Sequence, residues 1–121
     1  MQNDNSKFKA DFYKRLVKFA VEVVVYCQNL RKDPSLWSAC DQIIRSASSV
    51  GANVTEAKSS SSKREYIKYF EIALKSANET LFWFDVLQEL TPTTTGVKLR
   101  QECSEIASII AAGVLKMKDK R

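Results

Sequence analysis

The sequence contains no histidine, and it has only three glycines and two prolines among its 121 residues. Without histidine the chain lacks the commonest general base and the commonest metal ligand, which disfavours a catalytic triad or a zinc centre. The scarcity of glycine and proline leaves little of the turn chemistry that a many-stranded protein needs at its hairpins. The composition therefore predicts an all-α protein that is not an enzyme and binds no cofactor.

The sequence also lacks a membrane span and a secretory signal. No apolar run approaches the roughly 18 residues that would cross a membrane, and the polar start has no apolar signal core. Cys27, Cys40 and Cys103 are odd in number, have no C-x-x-C spacing and sit among apolar residues. This pattern favours reduced core thiols over disulfides or metal ligands. We therefore expect a cytoplasmic protein that does not bind membranes.

The length of the chain suits one domain, over residues 1–121, and 45% hydrophobic residues are typical of a folded protein. Apolar residues recur at spacings of three and four along four segments, which is the period of a buried helical face. The pattern predicts helices at about 6–31, 34–58, 63–90 and 96–118. Four long helices with short connections favour an up-down-up-down antiparallel four-helix bundle.

Three local signals mark the breaks between these helices. Asp33 followed by Pro34 is typical of a helix start, because the aspartate caps free amides and proline needs no donor there. Ser62 and Glu65 have the spacing of a capping box. Residues 91–96, with four threonines, a proline and a glycine, predict the loop before the last helix. Gly51 inside the second helix indicates either a close helix approach or a kink.

The first predicted helix has more apolar surface than one bundle seam needs. A second stripe lies beside its core stripe and consists of Tyr13, Val17, Ala20, Val24 and Cys27. An apolar arc of this width predicts that part of the helix contacts another subunit.

A polar face on the second helix is the candidate contact between subunits. Its residues lie three or four apart, and we place them opposite the apolar stripe of the same helix: Arg45, Ser49, Asn53 and Glu56. Two interpretations carry about equal weight. The face is either solvated and held by internal hydrogen bonds worth about 0.2–0.5 kcal/mol, or it contacts a neighbouring subunit and fixes its register.

Basic residues point to an anionic partner. The net charge of +5 and the pI near 9.2 favour nucleic acid as that partner. The candidate nucleic-acid-binding residues form one group around the serine turn and one in the tail: Lys58, Lys63, Arg64 and Lys68, then Lys116, Lys118, Lys120 and Arg121. Glu65 and Glu71 interleave the first group, so an ordinary solvated face with pairing inside one helix is the alternative for any one group.

Residues 45–87 resemble the central signature of bacterial four-helix-bundle proteins, a family that includes proteins encoded by intervening sequences within 23S rRNA genes. The matching positions are Arg45, Ser49, Ala52, Asn53, Glu56, Lys63, Glu65, Tyr66, Ala73, Leu74, Ser76 and Glu79. Gly51 stands where the family usually has proline, and Ala57 where it usually has glycine. Serines at 59–62 replace a turn that often carries glycine and arginine in the family. A functional role for arginines in that turn is therefore without support here.

The resemblance implies a ring-like homo-oligomer, typically a pentamer, without enzymatic activity. It also implies a relation to the accessory protein of diversity-generating retroelements, a basic pentamer that binds nucleic acid and a reverse transcriptase. Five copies would carry a net charge of about +25, so weak phosphate contacts would gain avidity. The sequence thus predicts a homo-oligomer that binds RNA, DNA or a nucleoprotein, and a scaffold that binds only another protein is the alternative.

Overall fold

The computed structural model describes residues 4–119, with side chains from residue 6 onward, and every long element in this range is a helix. The helices are α1 (Asp4–Leu30), α2 (Trp37–Ala57), α3 (Lys63–Leu90) and α4 (Thr94–Asp119). Each helix packs on the next one along the chain, and α4 returns to pack on α1. The predicted all-α four-helix bundle is confirmed, and the helix ends lie within two residues of the predicted positions except at the start of α2, which begins three residues later than predicted, after a 3-10 turn.

The core is one continuous cluster of apolar side chains from all four helices. Its centre is aromatic, since Phe84 on α3 lies 6.5 Å from Phe19 and 5.9 Å from Tyr26, measured between ring centroids. Alternating steps of four and three residues along α4 predict core positions that include Ile110, Gly113 and Met117, and the core follows this pattern only as far as Ile110. Val114 then takes the buried position, while Gly113 and Met117 are half-buried. A helix period of 3.6 residues rather than 3.5 accounts for this drift.

Side-chain caps define the starts of two helical segments. The carboxylate of Asp33 accepts hydrogen bonds from the Ser35 hydroxyl at 2.8 Å and the Ser35 amide at 3.0 Å, at the start of a 3-10 turn, Pro34–Leu36. These bonds lower the pKa of Asp33. Ser62 Oγ accepts from the amide of Glu65 at 3.1 Å. The Glu65 carboxylate instead accepts from the Ser61 hydroxyl at 3.3 Å, so one half of the capping box is present.

The corner between α3 and α4 is tighter than the sequence indicates. Thr93 Oγ1 accepts from the amide of Gly96 at 2.9 Å, and α4 therefore begins at Thr94 rather than at residue 96. A Cβ atom at Gly96 would lie 2.1 Å from Oε1 of Gln88, whose oxygen accepts from the amide of Thr93 at 3.2 Å. Only glycine fits this position without displacing the Gln88 side chain.

Gly51 behaves differently from Gly96. A Cβ atom there would lie 3.5 Å from Cβ of Leu16, which is ordinary van der Waals contact, and α2 continues through the position. α1 therefore lies in contact distance of this position, but the space does not require glycine, since an alanine would fit there.

Replacing Ser62 with alanine removes the only side-chain cap of α3. We expect Ser62→Ala to lower the free energy of unfolding by about 1 kcal/mol, because an amide in the first turn loses its acceptor. Urea titration followed by circular dichroism measures this change. Ser59→Ala is the control, since Ser59 is exposed and caps no helix in the described residues. Equal stability of the two variants would show that the cap contributes nothing.

The three cysteines are free and buried, and burial raises the pKa of Cys27 and Cys103 to about 12. A thiol with that pKa is ionised to only about one part in ten thousand at pH 8, and the thiolate is the reactive form. Because all three side chains are buried, we expect iodoacetamide at pH 8 to leave them unmodified in the folded protein and to alkylate all three in denaturant. Mass spectrometry counts the adducts, and rapid alkylation of the native protein would contradict the burial.

Candidate functional site

The candidate polar face of α2 lies against α3, where it forms a line of hydrogen bonds that we call the polar seam. Ser49 Oγ lies 2.9 Å from Ser76 Oγ on α3. Asn53 Nδ2 donates to Ser49 Oγ at 2.9 Å and to the Ser49 carbonyl at 2.8 Å. Arg45 forms an ion pair with Glu79. Three of the four predicted contact residues are therefore bonded within the chain.

The deepest part of the polar seam is a pair of fully buried hydroxyls. The oxygens of Ser46 on α2 and Thr80 on α3 lie 2.8 Å apart, and neither residue is exposed. The Thr80 hydroxyl is also 2.7 Å from the carbonyl of Ser76, and Ser46 Oγ is 3.3 Å from that of Ile43. Since buried hydroxyls need hydrogen-bond partners, this pair favours one register of α2 against α3.

For Ser49 and Asn53 the predicted position opposite the apolar stripe of α2 is wrong, whereas Arg45 and Glu56 do lie on the side away from it. At about 100° per residue, Ser49 and Asn53 fall roughly a third of a turn from the stripe, which places them beside the core. They are half-buried, whereas Arg45 and Glu56 are exposed. The interpretation based on internal hydrogen bonds describes Arg45, Ser49 and Asn53. A contact of Arg45 or Glu56 with another subunit stays a prediction.

Ion pairs join different helices, although the sequence indicated pairing within them. Arg15 of α1 donates from Nε and Nη2 to the carboxylate of Glu102 on α4, at 2.7 and 2.6 Å, and these bonds raise the pKa of Arg15. Arg100 of α4 pairs with Asp85 of α3 at 2.7 Å. These two pairs hold neighbouring helices together, and neither involves a residue of the candidate basic groups.

The antiparallel arrangement brings both candidate basic groups to one end of the bundle, which we call the basic end. The start of α1, the end of α2, the start of α3 and the end of α4 all lie there. Residues 4–17, 46–76 and 106–119 hold eleven lysines and arginines against six acids. Residues 18–45 and 77–105 hold six against eight. The excess positive charge of the described chain is therefore confined to one end.

The candidate nucleic-acid-binding residues differ in whether a neighbouring side chain compensates or contacts their charge. Lys63, Arg64, Lys68 and Lys116 are exposed and form no ion pair with any residue of 4–119. Lys118 pairs with Glu71 at 2.6 Å, so its charge is partly compensated. Lys58 Nζ lies 4.9 Å from the centre of the Tyr13 ring in a cation–π contact. Lys120 and Arg121 lie outside the described residues.

An exposed apolar stripe runs along the outer side of α1, which we call the α1 stripe. It consists of Tyr13, Val17, Val21, Val24 and Val25, each 37–55% exposed. The prediction of surplus apolar surface on this helix is confirmed for Tyr13, Val17 and Val24. Cys27 is fully buried, Ala20 is half-buried, and Val21 and Val25 take their place. The unbroken run of valines from 23 to 25 was the sequence signal for this outer surface.

The described residues hold no helix that is apolar over a membrane-spanning length. Among the same residues, no three cysteine or acidic side chains come together in the way a metal ion requires.

Comparison with known proteins identifies relatives by structure and sequence. A crystal structure of a protein of unknown function from the S23 ribosomal protein family of Bacteroides thetaiotaomicron VPI-5482 is 28% identical. The match covers 85% of this chain and 97% of that one, with a TM-score of 0.79. No curated protein matches the sequence significantly. Residues 9–112 match the family of 23S rRNA-intervening sequence proteins, and the chain therefore belongs to that family.

Proposed function

We propose that this protein is a non-enzymatic homo-oligomer of the cytoplasm, pentameric in size, that binds nucleic acid or a nucleoprotein through its basic end. The observation that carries the proposal is the convergence of two sequence-distant basic groups at one end of the bundle. Four exposed cations there, Lys63, Arg64, Lys68 and Lys116, have no acidic partner among the described residues.

Nucleic acid suits this end because its phosphates present a regular row of negative charge. Each lysine or arginine that neutralises a phosphate releases a bound counterion, and this release drives binding at low salt. Phosphate contacts position a protein but do not read sequence. The proposed binding is therefore salt-sensitive and tolerant of sequence.

Self-association is supported by the α1 stripe. Exposed apolar residues at positions 13, 17, 21, 24 and 25 line one side of a helix over about four turns, and apolar surface of this kind marks contact sites. The pentamer is the size that the family resemblance implies. In such a ring, several basic ends would act on one polyanion and weak contacts would add up.

The absence of enzymatic activity is part of the same proposal. The sequence has no histidine. In the described core the hydroxyls of Ser46 and Thr80 bond to each other and lie near backbone carbonyls, and neither contacts a base.

A protein-binding scaffold is the second candidate function, and the α1 stripe favours it equally. The same apolar face could receive a helix of a different protein, and the basic charge would then play no part. Copurification of one protein partner, together with no retention of nucleic acid at low salt, would identify this function.

Charge reversal at the basic end tests nucleic-acid binding. We expect Lys63→Glu/Arg64→Glu to weaken retention of RNA and DNA in a filter-binding titration. The slope of log K against log salt should fall by about two, one for each lost phosphate contact. Lys32→Glu/Lys98→Glu makes the same charge change away from the basic end and should bind more tightly than the first variant. Equal losses in both variants would show that only net charge matters.

Charged substitutions in the α1 stripe test self-association. We expect light scattering to give an oligomer for the wild type and the monomer mass of 13.7 kDa for Val17→Lys/Val21→Lys. The introduced ammonium groups would have to be desolvated in an apolar contact. Val97→Lys/Leu115→Lys changes two equally exposed residues on α4 and should stay oligomeric. A monomeric wild type would remove the ring from the proposed function.

A further inference from the structure

We infer that the basic end recognises unpaired bases, so that its ligand class is single-stranded nucleic acid rather than a duplex. This inference rests on the proposed function and adds a second contact to it. Exposed or half-exposed aromatic rings lie among the cations of that end, and they would stack on the bases while the cations contact the phosphates.

Phe8 is the most accessible of these rings. It lies near the start of α1, in the second turn of the helix, and is 55% exposed. Lys7 and Lys9 flank it in sequence, and both are exposed. Its ring stacks on that of Phe12 with centroids 6.0 Å apart and planes 12° from parallel. Phe12 is buried, so it supports the Phe8 ring from the side of the core.

A second group of rings occupies the first turns of α3. Tyr66 lies between Arg64 and Lys68 in sequence and is half-buried. Its ring stacks on that of Phe70 with centroids 5.0 Å apart and planes 22° from parallel. Aromatic and cationic side chains therefore alternate along this segment as well as at the start of α1.

Tyr13 and Lys58 show that rings and ammonium groups share one surface in space as well as in sequence. Lys58 is the residue that follows α2, and its Nζ lies 4.9 Å from the centre of the Tyr13 ring on α1. Tyr13 remains 43% exposed beside this cation. Because Tyr13 also belongs to the α1 stripe, this contact shows that rings and cations lie side by side at the basic end, while Phe8 is the ring that we expect to stack on a base.

The opposite half of the bundle provides the contrast. Phe82 on α3 is 56% exposed, which matches Phe8. However, the charged residues of α3 beyond Lys75 are all acidic, namely Glu79, Asp85 and Glu89. Glu79 and Asp85 are already compensated by Arg45 and Arg100, so no unpaired cation of α3 lies beside that ring to hold a phosphate. Within the described chain, exposed rings lie in a region of net positive charge only at the basic end, since the half that holds Phe82 and Trp37 has six lysines and arginines against eight acids.

Base stacking distinguishes single strands from duplexes. In a duplex the faces of the bases are covered by their neighbours, and only phosphates and groove edges are accessible. A single strand presents base faces that stack on aromatic side chains regardless of sequence. Phosphate contacts alone would instead favour the duplex, whose charge density is higher.

The test measures binding of one single-stranded DNA of about 20 nucleotides and of the duplex formed with its complement. We expect the wild type to prefer the single strand. Phe8→Ala should weaken single-strand binding about fivefold or more, with an unchanged salt slope, and leave duplex binding unaltered. Phe8→Trp should restore binding and Phe8→Leu should not, because leucine is apolar but has no π face.

Phe82→Ala is the matched control, since it removes an equally exposed ring away from the cations. Circular dichroism and light scattering verify that each variant keeps its fold and its oligomeric state. Equal binding of both DNA forms, with no effect of Phe8→Ala, overturns the stacking inference and leaves the proposed function intact. If the wild type binds neither form at low salt, both the inference and the proposed function fail.

Discussion

The packing of α2 against α3 across the polar seam is the constraint on which the rest of the structure depends. It is the most extensive contact between any two helices. A slip of α3 along α2 by one residue would separate the Ser46 and Thr80 hydroxyls, and an unsatisfied buried hydroxyl costs about 1–3 kcal/mol. Purely apolar seams tolerate such slips more readily. The polar seam therefore favours a single register over its neighbours.

Specific contacts then fix the positions of α1 and α4 relative to α2 and α3. The thiol of Cys103 on α4 donates to the carbonyl of Ala77 on α3 at 3.4 Å, and Arg100 pairs with Asp85 nearby. On the other side, the Cys27 thiol lies 3.9 Å from the carbonyl of Cys40. Once α2 and α3 are fixed, these contacts set which residues of α1 and α4 share a level in the bundle. The basic end itself is a consequence of the antiparallel topology and of composition, and these contacts fix its details.

Much of the fold could be predicted from the sequence because its signals are local. The cap at Ser62, the cap at Asp33 and the apolar periodicity each depend on residues within a few positions of one another. The polar seam could not be predicted in the same way, because Ser49 and Ser76 are 27 positions apart and Arg45 and Glu79 are 34 apart. A helical period places Ser49 on a face, but only the partner helix decides whether that face is covered.

The positions that match the family pattern include residues from both sides of the polar seam, although the pattern alone does not say that they are in contact. Arg45, Ser49 and Asn53 belong to the first part of the matching pattern, and Ser76 and Glu79 to the last part. The structure shows that the two parts are the two sides of the polar seam. The position of the α1 stripe could likewise be predicted only in part, because the sequence alone cannot tell which of two adjacent apolar stripes faces the core.

The uneven distribution of charge along the bundle gives the molecule an electric dipole roughly parallel to its helices. The field of a polyanion orients this dipole before any side chain makes contact. The positive end of the subunit therefore reaches the polyanion first. In a cyclic assembly whose symmetry axis runs along the bundles, rotation cannot exchange the two poles of a subunit. In the proposed ring, with its axis along the bundles, every positive pole would then face the same way, which would give one cationic rim and one anionic rim.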